Sequence, residues 1–276
     1  MESFFTFLEK RVEDSSSLLC IGLDPHVSDL TAPTAEAALA FCLNLVKQTA
    51  PYAAAFKPNA AFFEQFGTPG WTALKQVIDA VQAESQRLGS LIPVILDAKR
   101  GDIASTAEAY AKSAFMTLGA HAITLSPYLG KDSIDPFLAN AEKGVFLLCK
   151  TSNPGASDLQ DLEVSRDGQA SEPLYLAVAR LAQSWNTRNN IGLVVGATQP
   201  EALALVRAAA PDLWFLAPGV GAQGGDMEAA LKAGLRRDGK GMLLPVARGI
   251  SRADEPARAA AKLRDEIFNI QYQRGR

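Results

Sequence analysis

The chain has 276 residues, 48% of them apolar and 21% charged, with a net charge of −3. That balance describes a globular protein and excludes collagen-like, coiled-coil and wholly disordered chains. It also lacks the basic footprint of a nucleic-acid binder, so no nucleic-acid partner is expected. Three cysteines and two histidines, with no CxxC, HxxxH or HExxH spacing, supply neither a disulfide framework nor a Cys/His zinc site. Cysteines in apolar runs point to a reducing, cytoplasmic setting. With no signal-peptide pattern and no span of about 20 apolar residues, no membrane association is expected.

The first element, Met1 to Asp14, reads as a short amphipathic helix, FFTFL followed by EKRVED. Eight apolar runs follow: 18–24, 53–59, 92–99, 122–128, 144–152, 191–198, 213–220 and 242–249. Each is long enough for one strand, and most lack polar alternation, as strands buried on both faces of a parallel sheet do. Ala/Leu-rich stretches with helical spacing lie between them, such as 34–50 and 72–89. Strands alternating with helices are βα units. Eight units in this length predict a single (β/α)8 TIM barrel over 1–276, with a long irregular loop near 153–173. An open doubly wound sheet is the alternative, weakened because no GxGxxG turn follows the first run.

The runs end in polar groups, at the end of the barrel where enzymes of this architecture keep their active sites. Asp24, Lys57, Asp97 and Lys99 close the first three runs. Charges in apolar strands must be paired or solvated. The third run continues LDAKRGDIAST, with Asp97 and Lys99 on one side of a strand, Asp102 in the turn beyond, and Ser105 and Thr106 next. Lys57, Asp97, Lys99 and Asp102 form an alternating array in which each charge supports its neighbours. An exposed salt-bridge cluster capping the barrel is the bland alternative, and spacing leaves it open. A Gly-rich loop at 216–226 and Arg248 after the last run sit where barrels cradle phosphate, with backbone N–H groups at Gly221, Gly224 and Gly225 and a bidentate guanidinium. His26 lies near the mouth of the site but reads as a surface residue and not a catalytic one, and His121 reads as a residue of the opposite, stability face. Cys20 and Cys149 read as core. Arg100 reads as a substrate contact or as a structural ion pair across a dimer, and Lys131 with Asp132 as the opening of the fourth helix.

The ordered set LDP (23–25), FKPN (56–59), DAKRGDI (97–103), TSNPG (151–155), APGVGAQGGD (217–226) and ARGI (247–250) resembles orotidine 5′-phosphate decarboxylases. The DAKRGDI form resembles their bacterial type 2 subgroup, and the likeness runs from about Leu18 to Ile250. It implies that Lys57, Asp97, Lys99 and Asp102 are the catalytic network, with Asp102 reaching into a neighbouring subunit's site. Asp24 and Thr106 would hold ribose, Thr106 across the dimer. Ser152 would meet the pyrimidine edge, Gln223 would bridge pyrimidine and phosphate, and Arg248 would bind phosphate. The resemblance further implies a homodimer with shared sites that converts orotidine 5′-phosphate to UMP, the last step of de novo pyrimidine synthesis, without metal or organic cofactor. Two rival readings are a magnesium-dependent sugar-phosphate decarboxylase or aldolase of the same barrel superfamily, and a non-catalytic nucleotide-binding barrel. The first would place an acidic ligand where Lys57 stands. The second would have no use for the lysine–carboxylate network.

Overall fold

The computed structural model describes residues 2–165, 170–220 and 226–273. Eight parallel strands form the sheet: β1 (Leu19–Leu23), β2 (Ala55–Pro58), β3 (Ile95–Arg100), β4 (Ala122–Leu125), β5 (Gly144–Lys150), β6 (Ile191–Val195), β7 (Trp214–Leu216) and β8 (Met242–Val246). Each lies within or against one of the eight apolar runs. Their hydrogen-bonded order is β2-β1-β8-β7-β6-β5-β4-β3. The two ends of that order meet at a seam of isolated bridges, Phe56 to Val94 and Asn59 to Asp97. Backbone bonds from Phe56 N to Pro93 O (2.9 Å) and from Ala60 N to Asp97 O (3.1 Å) close the barrel there. Every residue of β1, β2, β4, β6 and β7 is buried, which is why those runs show no alternation.

Helices fill the connections. The 34–50 stretch folds as Ala35–Thr49, with the Thr34 side chain accepting from Ala37 N as its cap. The helix expected at 72–89 starts earlier and spans Gly67–Leu88. The N-terminal segment folds as the helix Phe4–Ser15 and closes the N-terminal mouth of the barrel. Phe4 and Phe5 are fully buried and meet Phe146 edge-on, at ring separations of 6.3 and 5.5 Å. Phe5 also stacks on Trp214 at 6.1 Å. Gly144 is required beneath this plug, because a Cβ there would lie 2.3 Å from the Phe4 ring. Arg11 is buried on the same helix and donates to the carbonyls of Ala50 and Ala53 at 2.8 to 3.0 Å, satisfying backbone groups that end a helix.

The 153–173 segment departs from its expected irregularity. It begins as a 3-10 turn, Pro154–Asp158, and includes an antiparallel ladder of Glu163–Val164 with Glu172–Pro173. Two-residue ladders are too short to leave a periodic signal in sequence. Side chains also tie the segment to β5. Gln160 accepts from Thr151 N (2.9 Å) and donates to its hydroxyl (2.8 Å), and Asp161 pairs with the buried Lys150 at 2.5 Å.

Candidate active site

Three of the four expected network residues meet at the C-terminal end of the barrel. The Asp97 carboxylate accepts from Lys57 Nζ at 2.6 Å through Oδ2 and from Lys99 Nζ at 2.6 Å through Oδ1. Burial pushes the Asp97 carboxyl upward, but the two ammonium groups and their hydrogen bonds outweigh it and hold it well below the usual carboxylate range. Burial acts on Lys57 in the opposite direction to Asp97 and Asp24, whose charges prevail and hold its ammonium above the ordinary lysine value. Lys57 and Asp97 therefore both stay charged at neutral pH. A buried pair of this kind contributes little net stability, but losing one partner costs about 3–5 kcal/mol. Lys99 differs from Lys57 in access: its side chain is 51% exposed and faces a cavity.

Lys99 reaches this place through a backbone irregularity. Leu96 pairs with Ile123 and Arg100 with Leu125, so β3 carries two extra residues between consecutive pairs with β4. Lys99 has φ = 47°, the left-handed region that a residue with a Cβ enters at a cost of about 1–2 kcal/mol. The period-2 expectation that Asp97 and Lys99 share a side is met in outcome, though a bulge and not a regular strand brings them together.

Two adjoining cavities of about 370 and 450 Å³ open here, and Lys57, Pro218 and Pro245 line both. The first holds Asp24, Asn59, Phe62, the 218–220 turn and the Ala247–Gly249 segment, with Arg248 exposed at the rim. Gly22 permits this approach, since a Cβ there would lie 2.7 Å from that of Ala247. Asp24 Oδ1 is buried with no hydrogen-bond partner among the described residues. Burial raises the Asp24 pKa, and the Lys57 charge opposes that rise. An orphaned buried carboxylate oxygen is costly unless a ligand donor meets it. The second cavity holds Asp97, Lys99, Thr124, Thr151, Ser152 and Gln160 above a floor of Leu148, Val194 and Leu216. A charged centre thus separates a polar lobe with an arginine at its rim from a lobe with an apolar floor and amide and hydroxyl walls.

Other expected residues lie elsewhere. Asp102 is half-buried in the turn after β3, where its carboxylate accepts from Ile103 N at 2.8 Å, and Thr106 is exposed on the helix Ala104–Lys112. Neither lines the two cavities. Gln223, Gly221, Gly224 and Gly225 lie outside the described residues. Arg100 pairs with Glu64 of its own chain and lies 5.2 Å from the Tyr110 ring centroid. His26 lines the first cavity, in keeping with its place just after the first run, and lies edge-on to Phe62 with ring centroids 4.3 Å apart. His121 sits at the other end of the barrel, where Nδ1 accepts from Val94 N at 3.1 Å and burial pushes its pKa down to about 4. All three cysteines are buried and free.

The sequence reading missed Thr124 and Gln160. Thr124 is the one polar residue of its strand, a signal that lies inside the apolar run and not at its polar end. Gln160 lies eight residues past Ser152 in a stretch without periodicity and left no signal.

A (β/α)8 barrel with its ionised groups gathered at the C-terminal strand ends, around two cavities, defines the class of barrel enzymes that keep their active site at that end. Residues 17–263 match the model of the "Orotidine 5'-phosphate decarboxylase / HUMPS family", and the chain belongs to that family. It is 50% identical over 266 residues to an orotidine 5′-phosphate decarboxylase of Roseiflexus castenholzii, covering 95% of this chain and 93% of the relative. Among solved structures it resembles the Leishmania donovani OMP decarboxylase, with 55% identity, a TM-score of 0.87, and coverage of 98% of this chain and 100% of that one. It also resembles Leishmania donovani UMP synthase, with 56% identity and a TM-score of 0.89 over 99% of this chain, which spans 57% of that longer protein.

Proposed function

We propose that this site decarboxylates orotidine 5′-phosphate to UMP. The observation that carries the reading is the Lys57–Asp97–Lys99 chain of hydrogen bonds at the junction of the two cavities. Loss of CO₂ breaks the bond from C6 to the carboxylate and leaves the electron pair on C6, in the plane of the ring and without a conjugated sink. The barrier then falls only if positive charge is already in place. Lys99 supplies that charge and passes an Nζ proton to C6, giving UMP, and the neutral amine regains a proton from solvent. Asp97 holds the ammonium in position, and Lys57 keeps Asp97 ionised.

The phosphate belongs in the lobe bearing Arg248, with Gln223 and the backbone of Gly221, Gly224 and Gly225 as further ligands. Asp24 takes ribose hydroxyls on its unpartnered oxygen, and Ser152 meets the pyrimidine in the other lobe. Binding energy at the phosphate can be spent on closing the site. The magnesium-dependent alternative fits less well, because an ammonium stands at the second strand where that chemistry needs an acidic ligand. Decarboxylase assays of orotidine 5′-phosphate, followed by loss of absorbance with and without EDTA, test the reading. Turnover unaffected by EDTA supports it, and turnover only with added magnesium favours the alternative.

The working unit of this reading is a cytoplasmic homodimer. Asp102 and Thr106 do not line their own chain's two cavities and flank the exposed Ile103, an arrangement suited to completing a second copy's site. Mixing Lys99→Ala with Asp102→Ala protein tests this. Each is inactive alone, and random exchange restores about a quarter of wild-type activity because half the dimers then carry one intact site. Verified exchange without recovery assigns Asp102 to its own subunit.

A further inference from the structure

Thr124 lies on β4, almost fully buried, and its single hydroxyl joins three groups of β3. Oγ1 accepts from Ala98 N at 3.0 Å and from Lys99 N at 2.9 Å, and it lies 3.0 Å from Asp97 Oδ1. A hydroxyl has two acceptor lone pairs and one hydrogen. Both backbone groups can only donate, so they occupy the lone pairs, and the hydrogen points at the Asp97 carboxylate. The hydroxyl is saturated, with its direction fixed.

We propose that Thr124 is a positioning residue for the decarboxylation, with one hydroxyl fixing both the bulge that carries Lys99 and the carboxylate that Lys99 faces. The proposal rests on the functional reading above. In the bulge, Ala98 N and Lys99 N have lost the carbonyl partners of a regular ladder, and buried N–H groups without partners are strongly disfavoured. A side-chain oxygen from the neighbouring strand replaces those carbonyls at the residue with φ = 47°. Such a conformation persists only where its surroundings over-determine it. Without the hydroxyl, the two N–H groups favour a return to ladder pairing. That return would remove the left-handed backbone at Lys99, and with it the direction in which the side chain leaves the strand to reach the cavity. The same hydroxyl shares Asp97 Oδ1 with Lys99 Nζ, so it also sets the orientation of the carboxylate that the ammonium meets.

The test compares Thr124→Val, which keeps the branched shape, with Thr124→Ser, which keeps the hydroxyl. Four quantities are read: kcat and KM for orotidine 5′-phosphate, affinity for UMP, and the rate at which enzyme-bound UMP takes up deuterium at C6 in D2O. Deuterium uptake runs the proton-transfer step backwards through Lys99, so it reports on Lys99 without decarboxylation. The expected result for Thr124→Val is a kcat lower by about 100-fold, with KM and UMP affinity within about 3-fold, the pattern of an interaction lost mainly in the transition state. Deuterium uptake falls in parallel, and Thr124→Ser keeps kcat within about 5-fold of wild type. The proposal is overturned if Thr124→Val keeps kcat, if kcat falls while deuterium uptake does not, or if serine is as damaging as valine. Should valine prevent folding, Thr124→Ala replaces it. Failure of both to fold assigns the hydroxyl to barrel stability and overturns the positioning role. Wild-type protein unable to decarboxylate the substrate rejects the functional reading itself, whereas active wild type with unimpaired Thr124→Val rejects only this proposal.

Discussion

At the N-terminal end of the barrel the strands meet aromatic rings, and at the C-terminal end they meet charges. The lower end is filled by Phe4, Phe5, Phe146 and Trp214, all fully buried, and sealed by a helix. The upper end buries Lys57 and Asp97 against each other and leaves Lys99 facing a cavity. The same strands therefore serve two purposes according to which end is considered. Apolar burial at the lower end contributes about 25 cal/mol per Å² without any need for partners. The ionised groups at the upper end gain little net stability from their pairing and are held for chemistry. Substitutions at the two ends should separate stability from turnover.

The largest expected effect is at the upper end. Lys99→Ala lowers kcat for orotidine 5′-phosphate by at least about 10⁴-fold, because the charge and the proton donor vanish together. The circular dichroism spectrum and melting temperature stay close to wild type, since the side chain is half exposed. A folded Lys99→Ala protein with near-wild-type turnover would sink the mechanism. Phe5→Ala reverses the pattern. Emptying the plug costs about 3–5 kcal/mol of stability in denaturant titration, while kcat of the folded fraction is unchanged. A large fall in kcat at a temperature where the variant is fully folded would show that the two ends are coupled.

Arg248→Ala sharpens the contrast within the upper end. Losing a bidentate, charge-assisted contact weakens UMP binding by about 2–4 kcal/mol and leaves uridine nearly unaffected. Equal losses for both ligands would remove Arg248 from the phosphate site.

The smallest effect is a pH dependence at the lower end. Burial holds the folded His121 pKa at about 4, against about 6.5 in an unfolded chain. Between those values the unfolded chain binds more protons, so stability is complete above pH 6.5 and falls as pH drops toward 4, by about 1–3 kcal/mol. His121→Gln should flatten that slope in urea midpoints measured between pH 7 and 4.5. Below about pH 4 a second loss remains in both proteins, because the depressed Asp97 carboxyl supports folding only while it is ionised.

The two ends also differ in how legible they were. The barrel could be read because β1, β2, β4, β6 and β7 are buried throughout and leave unbroken apolar runs. Lys57, Asp97 and Lys99 could be read because a charge ending such a run has to be paired or solvated. Thr124 left a signal as the one polar residue of its strand, but its role depends on a register shift in a different strand. Gln160 and the short ladder beside it owe their positions to side-chain ties back to β5. His26 could be placed near the site because it closely follows Asp24, but nothing local reveals that Phe62, a residue of another connection, brings its ring beside it. Asp102 and Thr106 have positions that one chain alone does not explain.

The sealing helix also bears on the order of folding. Glu9 accepts from Trp214 Nε1 at 3.2 Å across 205 residues of sequence and pairs with Arg236 across 227. Glu13 on the same helix pairs with Lys240. These partners belong to the seventh strand and to the connection that leads into the eighth, so the helix leaves the ribosome roughly 10–40 s before they are made, at ordinary rates of synthesis. Until then its phenylalanines have no burial site, and the nascent chain carries an exposed apolar segment ahead of its first strand. Contacts of such long sequence separation form late in folding. The growing barrel therefore spends most of its synthesis with its base open, and the docking of Phe5 beside Trp214 marks the moment when the last strands have joined the first.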